Sequence, residues 1–255
     1  MIAPGQVAGV RVDAVDLEGA VARIESAVSD GTLLQIATIN LDFLVRAQRS
    51  AELRQILNQS ELNVADGMPV VWLSNLAGRR LPSRTAGSDL VPMALGRLAA
   101  RGARVFLLGG EGAVAADAGR RLAEAYPGLV IAGHCEPPRA SIDRMPNRSI
   151  LRLIQQARPD VLLVALGNPK QELWISRHRE ALGVKVAIGV GCTLDLLAGK
   201  SRRAPGWMQR AGLEWLYRLG QEPRRLVGRY VIDTLWLGLF AVGAARQRLA
   251  RRVAT

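Results

Sequence analysis

Short apolar runs that end on glycine, asparagine or aspartate, each followed by a segment of helical spacing, constrain what this chain can fold into more than any other feature. LLQIATIN (33–40), the run ending at Ala65, ARVFLLGG (103–110), LVIAG (129–133), the start of PDVLLVALGNPKQE (159–172) and VKVAIGVG (184–191) read as strands. Residues 15–30, 42–59, 113–126 and 149–157 read as helices, as do the segments ending near Leu76, Ala100 and Leu182. This rhythm predicts an α/β fold, Rossmann-like, with a mostly parallel sheet and helices on both faces. Ligands of such sheets bind beyond the carboxyl ends of the strands. There the chain places Thr38 and Asn40, Asp66-Gly67, Gly109-Gly110, Gly167-Asn168-Pro169 and Gly189-Val190-Gly191. Five turns on one rim point to a nucleotide-type ligand, with Gly67, Gly109, Gly110, Gly167 and Gly191 as binding candidates.

A chain of 255 residues suits one large domain or one domain plus an appendage. Charge draws the boundary. The formal net charge is +12, yet from Lys200 onward twelve Lys or Arg face only Glu214, Glu222 and Asp233. We therefore expect an α/β domain over 1–199 and a basic helical appendage over 200–255. Its basicity suits nucleic acid, anionic lipid or a phosphate-bearing substrate. Cys135 and Cys192 form no CxxC pair, so neither a disulfide scaffold nor a zinc site is expected. The N-terminus lacks the basic start and apolar core of a signal peptide.

Few motifs carry chemistry alone. In VADGMPVVW (64–72), Asp66 reads as a turn former or helix N-cap, with Pro69 opening the next helix, or as a general base. FLLGGEGAVA (106–115) resembles a phosphate-cradling turn but has neither GxGxxG spacing nor the Lys-Ser/Thr of a P-loop, which disfavours a dinucleotide oxidoreductase. The loop 78–90 is polar and contributes Arg84, Gly87, Ser88 and Asp89 as binding candidates. In GNPKQELWI (167–175), Glu172 suits a helix first turn, and Gln171 suits either the same role or a hydrogen bond to a nucleotide base or sugar. His134 and His178 stand apart, and no metal-ligand spacing or Asp-x-Asp pair appears. No metal or cofactor is expected, so arginines or backbone amides would have to meet any phosphate charge.

The tail interleaves Trp207, Trp215 and Trp236 with leucines and basic residues, the composition of an interfacial segment. YVIDTLWLGLFAVGAA (230–245) is short for a span, which needs about 20 residues. Flanked by arginines, it suits lying in or dipping into an anionic leaflet, or packing on the domain with a solvated charged end.

Together TINLDFLVRAQ, LNVADGMPVVW, RTAGSDL, VFLLGG, ALGNPKQELWI, VAIGVGCTLDLLAGKSRRAP and GLEWLYRLGQEPRRLVGRY resemble the WecG/TagA/CpsF family of bacterial glycosyltransferases over roughly residues 35–230. The resemblance implies transfer of a hexose or N-acetylhexosamine from a UDP-sugar donor to an undecaprenyl-diphosphate-linked saccharide, with inversion and without metal. The setting it implies is the cytoplasmic face of the inner membrane. Asp66 matches the family's proposed base. Thr38, grouped with the catalytic residues, and Asn40 match donor-site positions, and Gln171 matches a nucleotide-sugar contact. Arg218, Arg225 and Arg229 match appendage arginines that stabilise the leaving diphosphate. Gly228 stands where relatives often carry a basic residue. Cys192-Thr193-Leu194 departs from the usual glycine and aromatic before Asp195, a further sugar-pocket candidate. The long apolar end suggests the exopolysaccharide type, and an exposed appendage would permit a homo-oligomer. The rival readings are a nucleic-acid-binding protein and a non-catalytic nucleotide-sugar-binding regulator of envelope synthesis.

Overall fold

The computed structural model describes residues 5–253, apart from the side chains of Arg210 and of residues 250–253. An antiparallel hairpin, β1 (Gly5–Val7) and β2 (Val10–Val12), precedes helix α1 (Leu17–Asp30). Six parallel strands follow: β3 (Leu34–Ile39), β4 (Leu62–Ala65), β5 (Arg104–Gly109), β6 (Val130–Cys135), β7 (Val161–Ala165) and β8 (Val186–Gly189). Their order across the sheet is β4-β3-β8-β7-β5-β6. The parallel α/β architecture read from the sequence is thus the observed one. β3 and β7, the inner neighbours of β8, are buried along nearly their whole length; β7 is apolar throughout, while β3 also buries Gln35 and Thr38.

One apolar cluster joins α1, α5 (Gly87–Ala99) and α6 (Val114–Ala125) to one sheet face, through Ile24, Leu95 and Leu122. On the other face α7 (Asn147–Ala157) and α8 (Lys170–Leu182) pack around Trp174, whose Nε1 donates to Asn147 Oδ1 at 2.8 Å. A third cluster gathers the hairpin with α2 (Leu41–Arg49), α3 (Ala51–Gln59) and α4 (Met68–Leu76).

The helix expected over 42–59 is two helices. Ser50 adopts an extended backbone, and its Oγ accepts from Leu53 N at 3.1 Å, which ends α2 and caps α3. β6 also runs past Gly133 to Cys135. After a short α9 (Thr193–Leu197) come α10 (Gly206–Arg210), α11 (Glu214–Gln221) and α12 (Pro223–Val253). The apolar segment expected to be about sixteen residues lies within one continuous helix of 31 residues, of which Pro223–Leu249 is long and apolar enough to cross a membrane. One face packs Leu237, Phe240 and Ala241 on the third cluster, and the other leaves Val227, Val231, Leu235, Leu239 and Val242 exposed.

Candidate active site

The carboxyl ends of β3, β4, β7 and β8 open into a cavity of about 180 Å³, closed on its far side by α11 and the first turns of α12. The rim expected from the turn residues is therefore where the concavity lies. Thr38, Asn40, Asp66, Ser88, Gly167, Gln171 and Gly191 all line it, and so do Arg218, Arg225 and Arg229 from the C-terminal helices.

Asp66 directly follows β4. Its N–H donates to the Ile39 carbonyl at 2.8 Å, and its carboxylate accepts the N–H of Gly87 at the start of α5. It does not cap α4: Gly67 holds that position, with φ 119° and no side-chain cap. Touching the cavity but otherwise enclosed by protein, the carboxyl is pushed by burial up to about 6, with Glu214 adding to the rise and Arg218, Arg84 and the Gly87 N–H opposing it. Such a group is mostly ionised at neutral pH and still basic enough to take a proton.

Arg218 reaches in from α11, its Nη1 3.2 Å from Cys192 Sγ and its Nη2 3.3 Å from Glu214 Oε1. Burial disfavours its charge, but the facing Cys192, Asp66 and Glu214 outweigh that and raise its pKa. Glu214 is the hub of this side: its Oε2 also lies 2.6 Å from Arg84 Nη1. Arg84 in turn meets Asp89 at 3.3 Å, and Arg203 grips Asp89 through two bonds of 2.5 and 2.7 Å. Arg84, in the loop before α5, and Asp89, in the first turn of α5, thus tie down the C-terminal segment and do not line the cavity.

Gln171 is held from both sides: its Oε1 accepts from Gly191 N at 3.2 Å and its Nε2 donates to Glu172 Oε1 at 2.7 Å. Glu172 is 1% exposed, and burial raises its carboxyl to about 8, against the lowering effect of the Gln171 hydrogen bond. The expected first-turn acid of α8 is therefore an interior group. A Cβ on Gly189 would collide with Glu172 Oε1, so only glycine admits this pair beneath β8. Two further polar atoms at the cavity, Ser88 Oγ and Asn168 Oδ1, are buried without a protein partner and offer hydrogen bonds to a ligand.

The sequence matches the model of the glycosyl transferase WecG/TagA/CpsF family over residues 5–254. The chain belongs to this family. It is 34% identical over 191 residues to the N-acetylglucosaminyldiphosphoundecaprenol N-acetyl-beta-D-mannosaminyltransferase of Bacillus subtilis (strain 168), covering 74% of this chain and 72% of that one. The protein of the same name from Staphylococcus aureus (strain MRSA252) is 29% identical over 218 residues, covering 86% of this chain and 83% of its own.

Not every candidate residue reaches the cavity of this glycosyltransferase. Gly109 and Gly110 turn tightly against Ala165 and Val114, which makes that turn a packing feature. Asp195 sits in α9 behind the lining residues, its carboxyl raised by burial and by Glu222, while Gly67 and Gly87 contribute backbone alone. Sequence reasoning passed over Glu214, Arg203 and Asp42, and read Glu172 only as a first-turn acid. A signal existed for Glu214, one turn before Arg218 in LEWLYR, an i, i+4 acid–base pair. For Asp42, whose Oδ2 accepts from Asn168 Nδ2 at 2.8 Å and Arg46 Nε at 2.9 Å, nothing local marked the role.

Proposed function

We propose that this glycosyltransferase moves a hexose or N-acetylhexosamine from a UDP-sugar to a polyprenyl-diphosphate-linked saccharide in exopolysaccharide or other envelope polysaccharide synthesis. The observation that carries the reading is Asp66: an enclosed carboxyl of raised pKa facing Arg218 across a cavity at the strand ends. The acceptor hydroxyl attacks the anomeric carbon from the side opposite the nucleotide, and Asp66 takes its proton. The bond between that carbon and the diphosphate oxygen breaks with inversion. Arg218, with Arg225 and Arg229 at the rim, meets the charge that develops on the departing UDP. The placement of Arg218, Arg225 and Arg229 on one wall of the cavity supports charge neutralisation by arginine.

The lipid-linked acceptor is supported by the names of the relatives, which act on a diphosphoundecaprenol-linked sugar. The outward stripe of α12, with Arg224 and Arg246 at its two ends, supports work at the anionic cytoplasmic surface of the membrane. The test is UDP release by wild type and Asp66→Asn with a lipid-linked N-acetylglucosaminyl acceptor in liposomes, over a panel of UDP-sugars. Loss of about 10²- to 10⁴-fold in turnover with UDP binding retained is expected. Equal turnover in the variant would remove Asp66 as the base, and UDP-sugar binding without transfer by wild type would favour a regulator.

A further inference from the structure

Beside the first cavity lies a second of about 570 Å³, between α2, the start of α3 and α12. Asp42, Arg225, Leu226 and Arg229 line both, so the two are one depression with two floors. The second is unusually cationic for a cleft whose walls are otherwise Val45, Leu53, Leu226 and Ile232. Four arginines, Arg46, Arg49, Arg225 and Arg229, stand against Asp42 and Asp233 in its wall, and Arg225 is paired with Glu222 at the border with the first cavity. The carboxylates are already engaged: Asp42 by Arg46 at 2.9 Å, and Asp233 beside Arg229 at 3.7 Å. Arg49 makes no ion pair among the described residues. In a last helical turn, Arg46 and Arg49 would ordinarily complement the macrodipole toward water. Three residues apart, they instead share the face of α2 that borders this cleft. At the outer end Ile232 is exposed and leads onto the apolar stripe of α12 through Leu235 and Leu239.

We propose that the second cavity seats the diphosphate of the polyprenyl-linked acceptor, with Arg46 and Arg49 on its phosphate oxygens and the prenyl chain leaving across Ile232 along α12. This rests on the reading of the preceding section and adds where the acceptor lies. A sugar–diphosphate–prenyl diester carries two negative charges, for which the cleft offers Arg49, in no ion pair among the described residues, and Arg46, shared with Asp42. Its order of sugar, charge and hydrocarbon follows the order in which the depression presents Asp66, the arginines and the exposed aliphatic side chains. A sugar nucleotide alone would leave the aliphatic end unused.

The experiment uses the full chain, UDP-sugar donor and two acceptors: N-acetylglucosaminyl diphosphate bearing a short prenyl chain, and an uncharged alkyl N-acetylglucosaminide. Wild type, Arg49→Ala, Arg49→Lys and Arg46→Ala are compared by steady-state kinetics, and by calorimetric binding of the diphosphate compound without donor. For each alanine variant KM for the diphosphate acceptor is expected to rise about five- to tenfold, with the lysine variant between. KM for donor and for the neutral acceptor stays unchanged. Arg49 is exposed and unpaired, so its variants fold even if Arg46→Ala does not. An unchanged KM for the diphosphate acceptor, or an equal rise for both acceptors, overturns the proposal while leaving the transfer reaction standing. Failure of wild type to bind the diphosphate compound also overturns it. Wild-type binding that Arg49→Ala weakens, without transfer from any donor, supports the cavity and sinks the reaction instead.

Discussion

The sheet and the C-terminal helices meet at one cavity but are held by different forces. The sheet is enclosed by apolar clusters on both faces, and its strand ends cannot shift without opening them. Beyond Ser201 the buried side chains among the described residues are Ala204, Leu226, Asp233 and Ala244, and α11 has none. What docks α11 is Glu214 between Arg84, Arg203 and Arg218, together with the two-bond grip of Arg203 on Asp89. Charge screening does not weaken apolar burial, whereas partly exposed ion pairs weaken as salt screens them. The proposed base, Asp66, is thus a fixture of the rigid part, and the arginine facing it belongs to a part whose hold is conditional. The variants below act on one side of that division or the other.

The largest effect is expected at Gly109, at the end of β5. Its φ is 107°, and a Cβ there would be driven into the Ala165 carbonyl of the adjacent strand β7. Gly109→Ala should cost about 3 kcal/mol or more in urea unfolding, lowering stability and activity together. Full stability in this variant would mean that the sheet end yields, and the division would lose its rigid side.

A smaller effect, readable as a slope, is expected at Glu172. Its carboxyl titrates near 8 in the fold against 4.5 in the unfolded chain. Below pH 4.5 both states hold the proton and the full contribution to stability is present. As pH rises further the unfolded chain releases its proton and the folded one does not, so stability falls until the folded group ionises near 8, then levels. Gln at this position can still accept from Gln171 but carries no such slope. Glu172→Gln should therefore gain steadily on wild type between pH 5 and 8 in urea melts. Parallel stability profiles would show that Glu172 is not held as an acid.

How much of this was legible in the sequence follows the same division. Strands and helices of the sheet were readable because each is a local pattern of apolar residues, and Asp66 because a carboxylate at a strand end breaks such a pattern. The hairpin at residues 5–12 was not, since three-residue strands are too short to show a period. Nor was the break at Ser50, where a capping hydroxyl interrupts helical spacing that continues on both sides. The length of α12 was underestimated at its charged residues. Asp233 is 5% exposed, facing inward near Arg229, so it does not interrupt the helix. The docking network showed locally only in the Glu214–Arg218 pair; its long-range part left no trace, since Arg84 and Glu214 are 130 residues apart and long-range ion pairing has no periodicity.

The smallest expected effect discriminates best, because it separates docking from folding. Glu214→Gln keeps the size of the side chain and removes the charge that Arg84, Arg203 and Arg218 share. Three guanidinium groups then face one another with Asp89 and the cavity-side Asp66 as the remaining carboxylates, and the repulsion falls on the junction, since α11 buries no side chain of its own. We expect kcat/KM to fall about tenfold, or about 1.4 kcal/mol, with the urea midpoint of the sheet essentially unchanged. Amide exchange should quicken in α11 and not in β3, β4 or β8. The wild type should approach the variant's behaviour as salt is raised, because screening removes the same attraction that the substitution removes. Equal protection of α11 in the two proteins would place its hold elsewhere, in the packing of α12 on α2 and α4, and the contrast between a fixed base and a conditional arginine would fail.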